Sequence, residues 1–166
     1  MEKNKNIITE LSQKIISFDA KPNLDQSDQK LLIKNLTKQL ETLSVRSILS
    51  DKEKNIICDD EINNIKVRFQ RVIDLPSKEL RNLVDQGKKD LREGVIIIIS
   101  SKDEKVGIAV GVTNKYTQKY DAVKFVNVGS KILGGNGGGG RRDFAQAGGN
   151  DETKINETFA NLKYLI

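Results

Sequence analysis

The sequence predicts an α+β fold, a small central mixed sheet with packed helices, preceded by an antiparallel helical hairpin or short coiled-coil arm. Three observations carry that expectation. The first 55 residues contain no glycine and space their apolar side chains by three and four. Val95 to Ile99 is an unbroken β-branched run of strand length, the pattern of a strand covered on both faces. Beyond it, helical spacing returns on either side of a glycine-rich segment, Gly134 to Gly149.

In the arm, Ile8, Leu11, Ile15 and Phe18 form one stripe, and Ile33, Leu36, Leu40 and Leu43 a second. Pro22 between them lacks an N–H and interrupts a continuous helix, and Asp25 or Ser27 can cap the next one. Neither stripe reaches the three or four heptads that define a coiled coil from sequence. The expected division is an arm of residues 1–57 and a globular domain of residues 58–166.

Within the domain, Ile65, Val67 and Phe69 alternate with Lys66, Arg68 and Gln70, as in a half-exposed strand. Pro76-Ser77 opens a helix with Leu80, Leu83, Val84, Gly87 and Leu91 on one face, and Gly94 is its expected C-terminal cap. A polar turn from Ser101 to Lys105 joins Val95–Ile99 to Val106–Val112 as an antiparallel hairpin. Gly107 and Gly111 weaken that second strand unless another backbone comes close. Ala122, Phe125, Val126, Ile132 and Leu133 share a helical face. Asn150 is the expected cap of a last helix that buries Ile155, Phe159, Leu162 and Ile166.

Composition excludes several chemistries. The chain has 166 residues and a net charge of +5, an excess that permits a polyanionic partner without demonstrating one. It has no histidine, so a histidine general base, metal ligand or triad member is excluded. A single cysteine, Cys58, leaves no intramolecular disulfide and no cysteine-rich zinc site. Cys58 is read as a plain buried or half-buried thiol. The opening MEKNKNIITE has no apolar signal segment, and Val95–Ile99 is far too short to span a bilayer. The expectation is a soluble, cytoplasmic protein.

The glycine-rich segment, read as a loop, is the outstanding chemical feature. Glycines let backbone N–H groups approach a phosphate or a base edge. Arg141 and Arg142 follow at once, and a guanidinium grips phosphate with two parallel hydrogen bonds or stacks on a base. Gln146 offers both a donor and an acceptor. A flexible linker explains the glycines but not the return to Arg-Arg-Asp-Phe-Ala-Gln-Ala. A dinucleotide fingerprint is matched by Gly135, Gly137 and Gly140, but it follows a helix rather than a strand. A P-loop needs Lys-Ser/Thr where Arg141-Arg142 stands. Polyanion binding is the best chemical reading. Lys115, Lys119, Lys124 and Lys131 lie just upstream, with Tyr116 and Tyr120 placed either to stack on bases or to sit on an ordinary solvated helix.

This segment closely resembles a motif near the C-terminus of alanyl-tRNA synthetases, usually GG-x-GGG-R-P-D-x-A-Q-A-GG before a closing helix. Arg141, Asp143, Ala145, Gln146, Ala147, Gly148 and Gly149 match in order. Weaker similarity reaches back through the Leu75-Pro76 helix and the Val95–Val112 hairpin, so that it covers residues 62–166. The segment is one glycine longer, with Arg142 where proline is usual and Phe144 where methionine is common.

The resemblance implies a DHHA1-type domain, a noncatalytic fragment of a class II ligase. Such a domain binds the outer corner of tRNA(Ala), where the D and T loops meet, and so supports aminoacylation and editing. Dimerisation occurs in some members. The remaining synthetase domains are implied partners, and a membrane is not. ATP, magnesium and zinc belong to those other domains, so no cofactor is expected in this chain. On this reading Gly135, Asn136, Gly137, Gly138, Gly139 and Gly140 offer backbone to the RNA. Arg141 and Arg142 make side-chain contacts, Gln146 either contacts a base edge or ribose or braces the loop, Asp143 orients an arginine or caps a turn, and Lys119, Lys124 and Lys131 add electrostatic contacts. Two other readings stay open. One is the RNA substrate-binding domain of a DHH-type phosphoesterase, whose glycine cluster is usually followed by a histidine. The other is an oligomerisation module built on residues 3–49.

Overall fold

The computed structural model describes residues 26–166. The Ile8–Phe18 stripe, Pro22 and Asp25 lie outside the described residues. The chain divides between Leu43 and Ser44 into two compact units. Helix α1, Gln26–Ser50, begins in the first unit and ends in the second. Of the expected stripe in the first unit, Ile33 and Leu40 are exposed, and Leu36 and Leu43 are half-buried. No helix among the described residues is long and apolar enough to cross a membrane.

The second unit is built on one mixed sheet, as expected. Its strands are β1 (Asn55–Ile62), β2 (Ile65–Ile73), β3 (Val95–Lys102), β4 (Lys105–Val112), β5 (Gly138–Arg141) and β6 (Phe144–Gly149), in the order β1-β2-β3-β4-β6-β5. The β2–β3 pair is parallel and the other pairs are antiparallel. Helix α2 (Leu80–Leu91) makes the crossover between the parallel strands, α3 (Ala122–Ile132) joins β4 to β5, and α4 (Ile155–Lys163) closes the chain.

Two hairpins share one kind of turn. Asn63 and Asn64 have φ of 51° and 62°, and Asp103 and Glu104 have 50° and 61°. Two left-handed residues match the twist of the flanking strands, which is why such two-residue turns dominate tight hairpins. Asparagine tolerates that conformation better than most residues. Strand β1 was not expected from sequence. It lies at the sheet edge, and Ile56 and Ile57 are 50% and 47% exposed. Cys58 on this strand is exposed rather than buried, because the sheet edge there is left open to solvent.

The run Val95–Ile99 is continuous because both faces of β3 are covered. Val95, Ile97 and Ile99 pack towards α3 and α4 with Phe125, Val126, Leu133, Ile155 and Leu162. Ile96 and Ile98 pack towards α2 with Leu80 and Val84, alongside Val45, Ile48 and Leu49 from the last turns of α1. Each fully buried isoleucine contributes about 1.5–3 kcal/mol of hydrophobic stabilisation. What comes close to Gly107 and Gly111 is side chains, not another backbone: Ser77, Leu80 and Ser100 at Gly107, and Val84 and Lys88 of α2 at Gly111. A Cβ on Gly111 would sit 2.3 Å from Val84 Cγ1.

Three local expectations are corrected. The residue closing α2 is Arg92, with φ of 63°, and Gly94 instead stands just before β3, where a Cβ would lie 2.1 Å from the Lys66 carbonyl oxygen. Asn150 does not cap the last helix: α4 follows Lys154, which makes no side-chain cap, and the capping carboxylate is that of Asp151 on the short turn before it. The Asp151 carboxylate accepts from Thr153 N at 3.1 Å, and a 3-10 turn, Glu152–Lys154, leads into α4. Tyr120 is a core residue, 6% exposed, whose hydroxyl donates to the Ile166 carbonyl at 2.8 Å. It is therefore withdrawn from base stacking, and Tyr116 is half-buried against the same cluster.

Candidate nucleic-acid interface

The glycine-rich segment is largely a β-hairpin rather than a loop. β6 completes the main sheet by pairing with β4, from Val106↔Gly149 to Gly111↔Phe144. β5 is the outer strand and pairs with β6 from Gly138↔Ala147 to Arg141↔Phe144, so Arg142 and Asp143 form the turn. A run almost without side chains carries no alternation to read, and the pairing is decided by β4.

The hairpin is fastened to α3 by two polar residues on one helical face, three positions apart. Gly135 N donates to the Ser130 carbonyl at 2.7 Å, and Gly137 N donates to Ser130 Oγ at 3.1 Å. Ser130 Oγ in turn donates to the Gly148 carbonyl at 2.7 Å. Gly138 N donates to Asn127 Oδ1 at 2.9 Å. The amides of Gly135, Gly137 and Gly138 are thus engaged inside the domain. In an antiparallel ladder, residues two apart direct their N–H groups to the same side. Gly138 turns away from β6, so Gly140 does the same and offers its N–H along the open edge. Asn136 is exposed between the fastened glycines. Sequence reasoning missed Asn127 and Ser130. Their signal was available: two uncharged polar residues three positions apart on the helix that runs directly into the glycines.

Arg141 and Arg142 are held by different carboxylates. Arg141 Nε and Nη2 donate to the Asp143 carboxylate at 3.0 and 3.3 Å. That hydrogen bonding lowers the Asp143 carboxyl below its usual range, against the effect of burial, and raises the Arg141 guanidinium. The Arg141 side chain remains 71% exposed. Two of its five N–H donors are used, which leaves three directed at solvent. Asp143 therefore orients an arginine, as read from sequence. Its carbonyl also accepts from Val112 N and from Lys88 Nζ, at 2.9 and 2.6 Å. Arg142 instead reaches the N-terminal end of α3. Its Nη2 donates to the Gln118 carbonyl at 3.4 Å, and its Nε lies 3.7 Å from Asp121 Oδ2.

The sheet sorts the remaining candidates onto two sides. Gln146 is exposed and lies opposite Gly139, and two residues from Phe144, whose ring is buried on the α2 side. Arg141 pairs with Phe144, so Gly139, Arg141 and Gln146 share the α2 face. Arg81 of α2 covers the Phe144 ring at 5.0 Å and adds a cation that sequence reasoning did not select. Lys124 and Lys131 are exposed on α3, which packs against the other face, and Lys119 lies over the Tyr120 ring at 4.9 Å. The set read from sequence is therefore not one cluster. It is a hairpin edge with Arg141 and Gln146 on one side and the α3 lysines with Arg142 on the other.

Residues 64–166 match the DHHA1 domain family. The chain is 43% identical over 104 residues to an alanine–tRNA ligase of Bradyrhizobium diazoefficiens, covering 62% of this chain and 12% of that protein. It is 35% identical over 163 residues to an alanine–tRNA ligase of Fusobacterium nucleatum, covering 97% of this chain and 18% of that protein. The chain thus spans less than a fifth of the length of these relatives. Among solved structures, the C-Ala domain from Aquifex aeolicus alanyl-tRNA synthetase aligns with a TM-score of 0.61 and 30% identity, covering 65% of this chain and 96% of that one. RecJ from Thermus thermophilus aligns at 15% identity with a TM-score of 0.52, covering 86% of this chain and 21% of that one, which is likeness of fold alone. The chain belongs to the DHHA1 domain family and, within it, to the C-Ala domains of alanyl-tRNA synthetases.

Proposed function

We propose that this domain is a noncatalytic tRNA-binding module of a cytoplasmic alanyl-tRNA synthetase, contacting the outer corner of tRNA(Ala) to support aminoacylation and editing. The observation that carries the reading is the β5–β6 hairpin at the open edge of the sheet. It sets the half-used guanidinium of Arg141 and the amide of Gln146 on one face, beside the exposed Gly139. Bare backbone admits a bulky folded RNA closely, and guanidiniums with unfilled donors suit phosphate oxygens. Lys119, Lys124, Lys131 and Arg142 supply further positive charge on the α3 side. ATP, magnesium, zinc and the chemistry of the reaction are assigned to the rest of the synthetase.

The test compares intact tRNA with an acceptor-stem minihelix across a salt titration. Intact tRNA should bind tightly and the minihelix weakly. The tRNA affinity should fall linearly on a log–log plot, because phosphate contacts release counterions. Equal affinity for the two RNAs, or a flat salt response, overturns the proposal.

A further inference from the structure

A second cluster of positive charge lies at the C-terminal end of α2. A cleft of about 410 Å³ opens there, lined by Lys88, Lys89, Arg92 and Lys115, with Glu93 as the one acidic residue of its lining. Glu93 is paired with Lys115 at 2.5 Å, which leaves three cations without a carboxylate from the lining itself. Lys88 is engaged with the hairpin turn, through the Asp143 carbonyl at 2.6 Å and the Asp143 carboxylate at 3.7 Å. Lys89 and Arg92 have no carboxylate within ion-pair distance among the described residues.

Arg92 also stands where the backbone favours glycine. Its φ and ψ are 63° and −48°, and Glu93 N donates to the Leu91 carbonyl across it at 2.7 Å. That is a γ-turn of the strained hand, rare for residues with a side chain. Glycine would take it without steric strain. A helix C-terminus attracts cations through its dipole, and that accounts for Lys88 and Lys89 on the last turn. It does not account for an arginine held in a strained turn. Lys89 and Arg92, adjacent in the lining and without a carboxylate, repel each other unless an anion enters.

The cleft is continuous with the hairpin, because Lys88 bridges α2 to Asp143, the residue that orients Arg141. We infer that the cleft is a second contact for the RNA sugar–phosphate backbone, with Lys89 and Arg92 gripping a phosphate between Lys88 and Lys115, which are held in place by Asp143 and Glu93. The inference rests on the RNA-binding reading above and extends the footprint from the hairpin to the end of α2.

The experiment measures binding of the whole chain to intact tRNA over a salt series, for the wild type, Lys89→Ala, Arg92→Gly and Arg141→Ala, with thermal melts alongside. Losing one phosphate contact should make the log–log salt slope shallower by about one. At physiological salt this corresponds to roughly sevenfold weaker binding for each of the two cleft variants. Arg92→Gly should melt at or above the wild-type temperature while binding less well, a combination that a purely structural role does not produce. Lys89→Ala, on an exposed helical position, serves if Arg92→Gly folds poorly. If Arg141→Ala weakens binding but both cleft variants keep wild-type affinity and slope, the cleft is not a contact and the hairpin reading stands. If the wild type fails to bind tRNA, both fall together.

Discussion

Replacing Gly135 with alanine should unfasten the hairpin, whereas the same change at Gly139 should not. A Cβ on Gly135 would lie 2.0 Å from the Gly148 carbonyl oxygen and 2.4 Å from Ser130 Oγ. Those two atoms are bonded to each other at 2.7 Å, and Ser130 Oγ also accepts from Gly137 N. An added methyl must push the strand away and break both bonds. Two lost hydrogen bonds at about 1 kcal/mol each, with overpacking of about 1–3 kcal/mol, give roughly 3–5 kcal/mol of destabilisation. For a unit of this size that lowers Tm by roughly 10–20 °C. At Gly139 a Cβ meets nothing within 4 Å, so alanine should hold stability or raise it by about 0.4–1 kcal/mol by restricting the unfolded chain. The assay is thermal and urea unfolding of both variants, followed by tRNA binding for Gly139→Ala. A methyl there stands beside Gln146 on the proposed RNA face, so affinity should fall although the fold is intact. If Gly135→Ala melts within about 2 °C of the wild type, corresponding to less than about 1 kcal/mol, the fastening has been misread.

Arg141→Ala should weaken tRNA binding on the order of tenfold, without a change in Tm, because its pair with Asp143 is exposed. Unchanged affinity at physiological salt removes Arg141 from the site. The Asp59 carboxyl is held below its usual value of 3.8 by hydrogen bonds from Arg68. A depressed carboxylate stabilises the fold above the unfolded-state value, and that contribution is lost as pH falls through the folded-state value. Asp59→Asn should therefore cost less than about 1 kcal/mol at neutral pH, since the pair is partly solvated. The two urea-unfolding curves should converge below pH 3.8; a constant gap down to pH 2 contradicts the assignment. Cys58 is exposed on the edge strand, so a chromogenic disulfide should titrate one thiol in the native protein within minutes. Reaction only after denaturation would place β1 elsewhere.

The elements that were legible in the sequence are those whose surroundings leave a mark on their own residues. Val95–Ile99 is apolar at every position because helices cover both faces of β3, and that two-sided burial reads directly as a central strand. The apolar faces of α2, α3 and α4 were legible for the same reason. Strand β1 was not, because an edge strand leaves its apolar residues exposed and its charges in line with them. The clue was the turn: Asn63-Asn64 stands between Ile62 and Ile65, and two such residues between apolar neighbours indicate a tight hairpin. At the site, residue chemistry was legible and geometry was not. Arg141, Arg142 and Gln146 were selected by type as candidates, but which face each occupies follows from the pairing of β6 with β4, which a glycine run does not advertise. Tyr120, left open between base stacking and a solvated helix, is neither, because an aromatic among lysines looks the same whether its ring points out or in. Its hydroxyl reaches the Ile166 carbonyl, a contact between positions 46 residues apart.

Arg142 offers the sharpest separation of fold from function. It occupies the first central position of the Arg141–Phe144 turn, where proline is favoured because its ring pre-sets the required φ. Its carbonyl accepts from Ala122 N at 3.0 Å, and its own N–H donates in no backbone bond outside the strands among the described residues. A proline here keeps the accepting carbonyl and removes a donor the fold does not use. The preceding residue, Arg141, is already extended in β5, the conformation that a following proline demands. Arg142→Pro should therefore stabilise the domain by about 0.4–1 kcal/mol, read as a small rise in Tm. It also deletes the guanidinium beside Asp121, so tRNA affinity should fall while stability rises. A drop in Tm would mean that the turn needs the Arg142 N–H or its pair with Asp121. A rise in Tm with unchanged affinity would leave Arg142 outside the RNA contact and place the electrostatic work on Arg141 and the lysines.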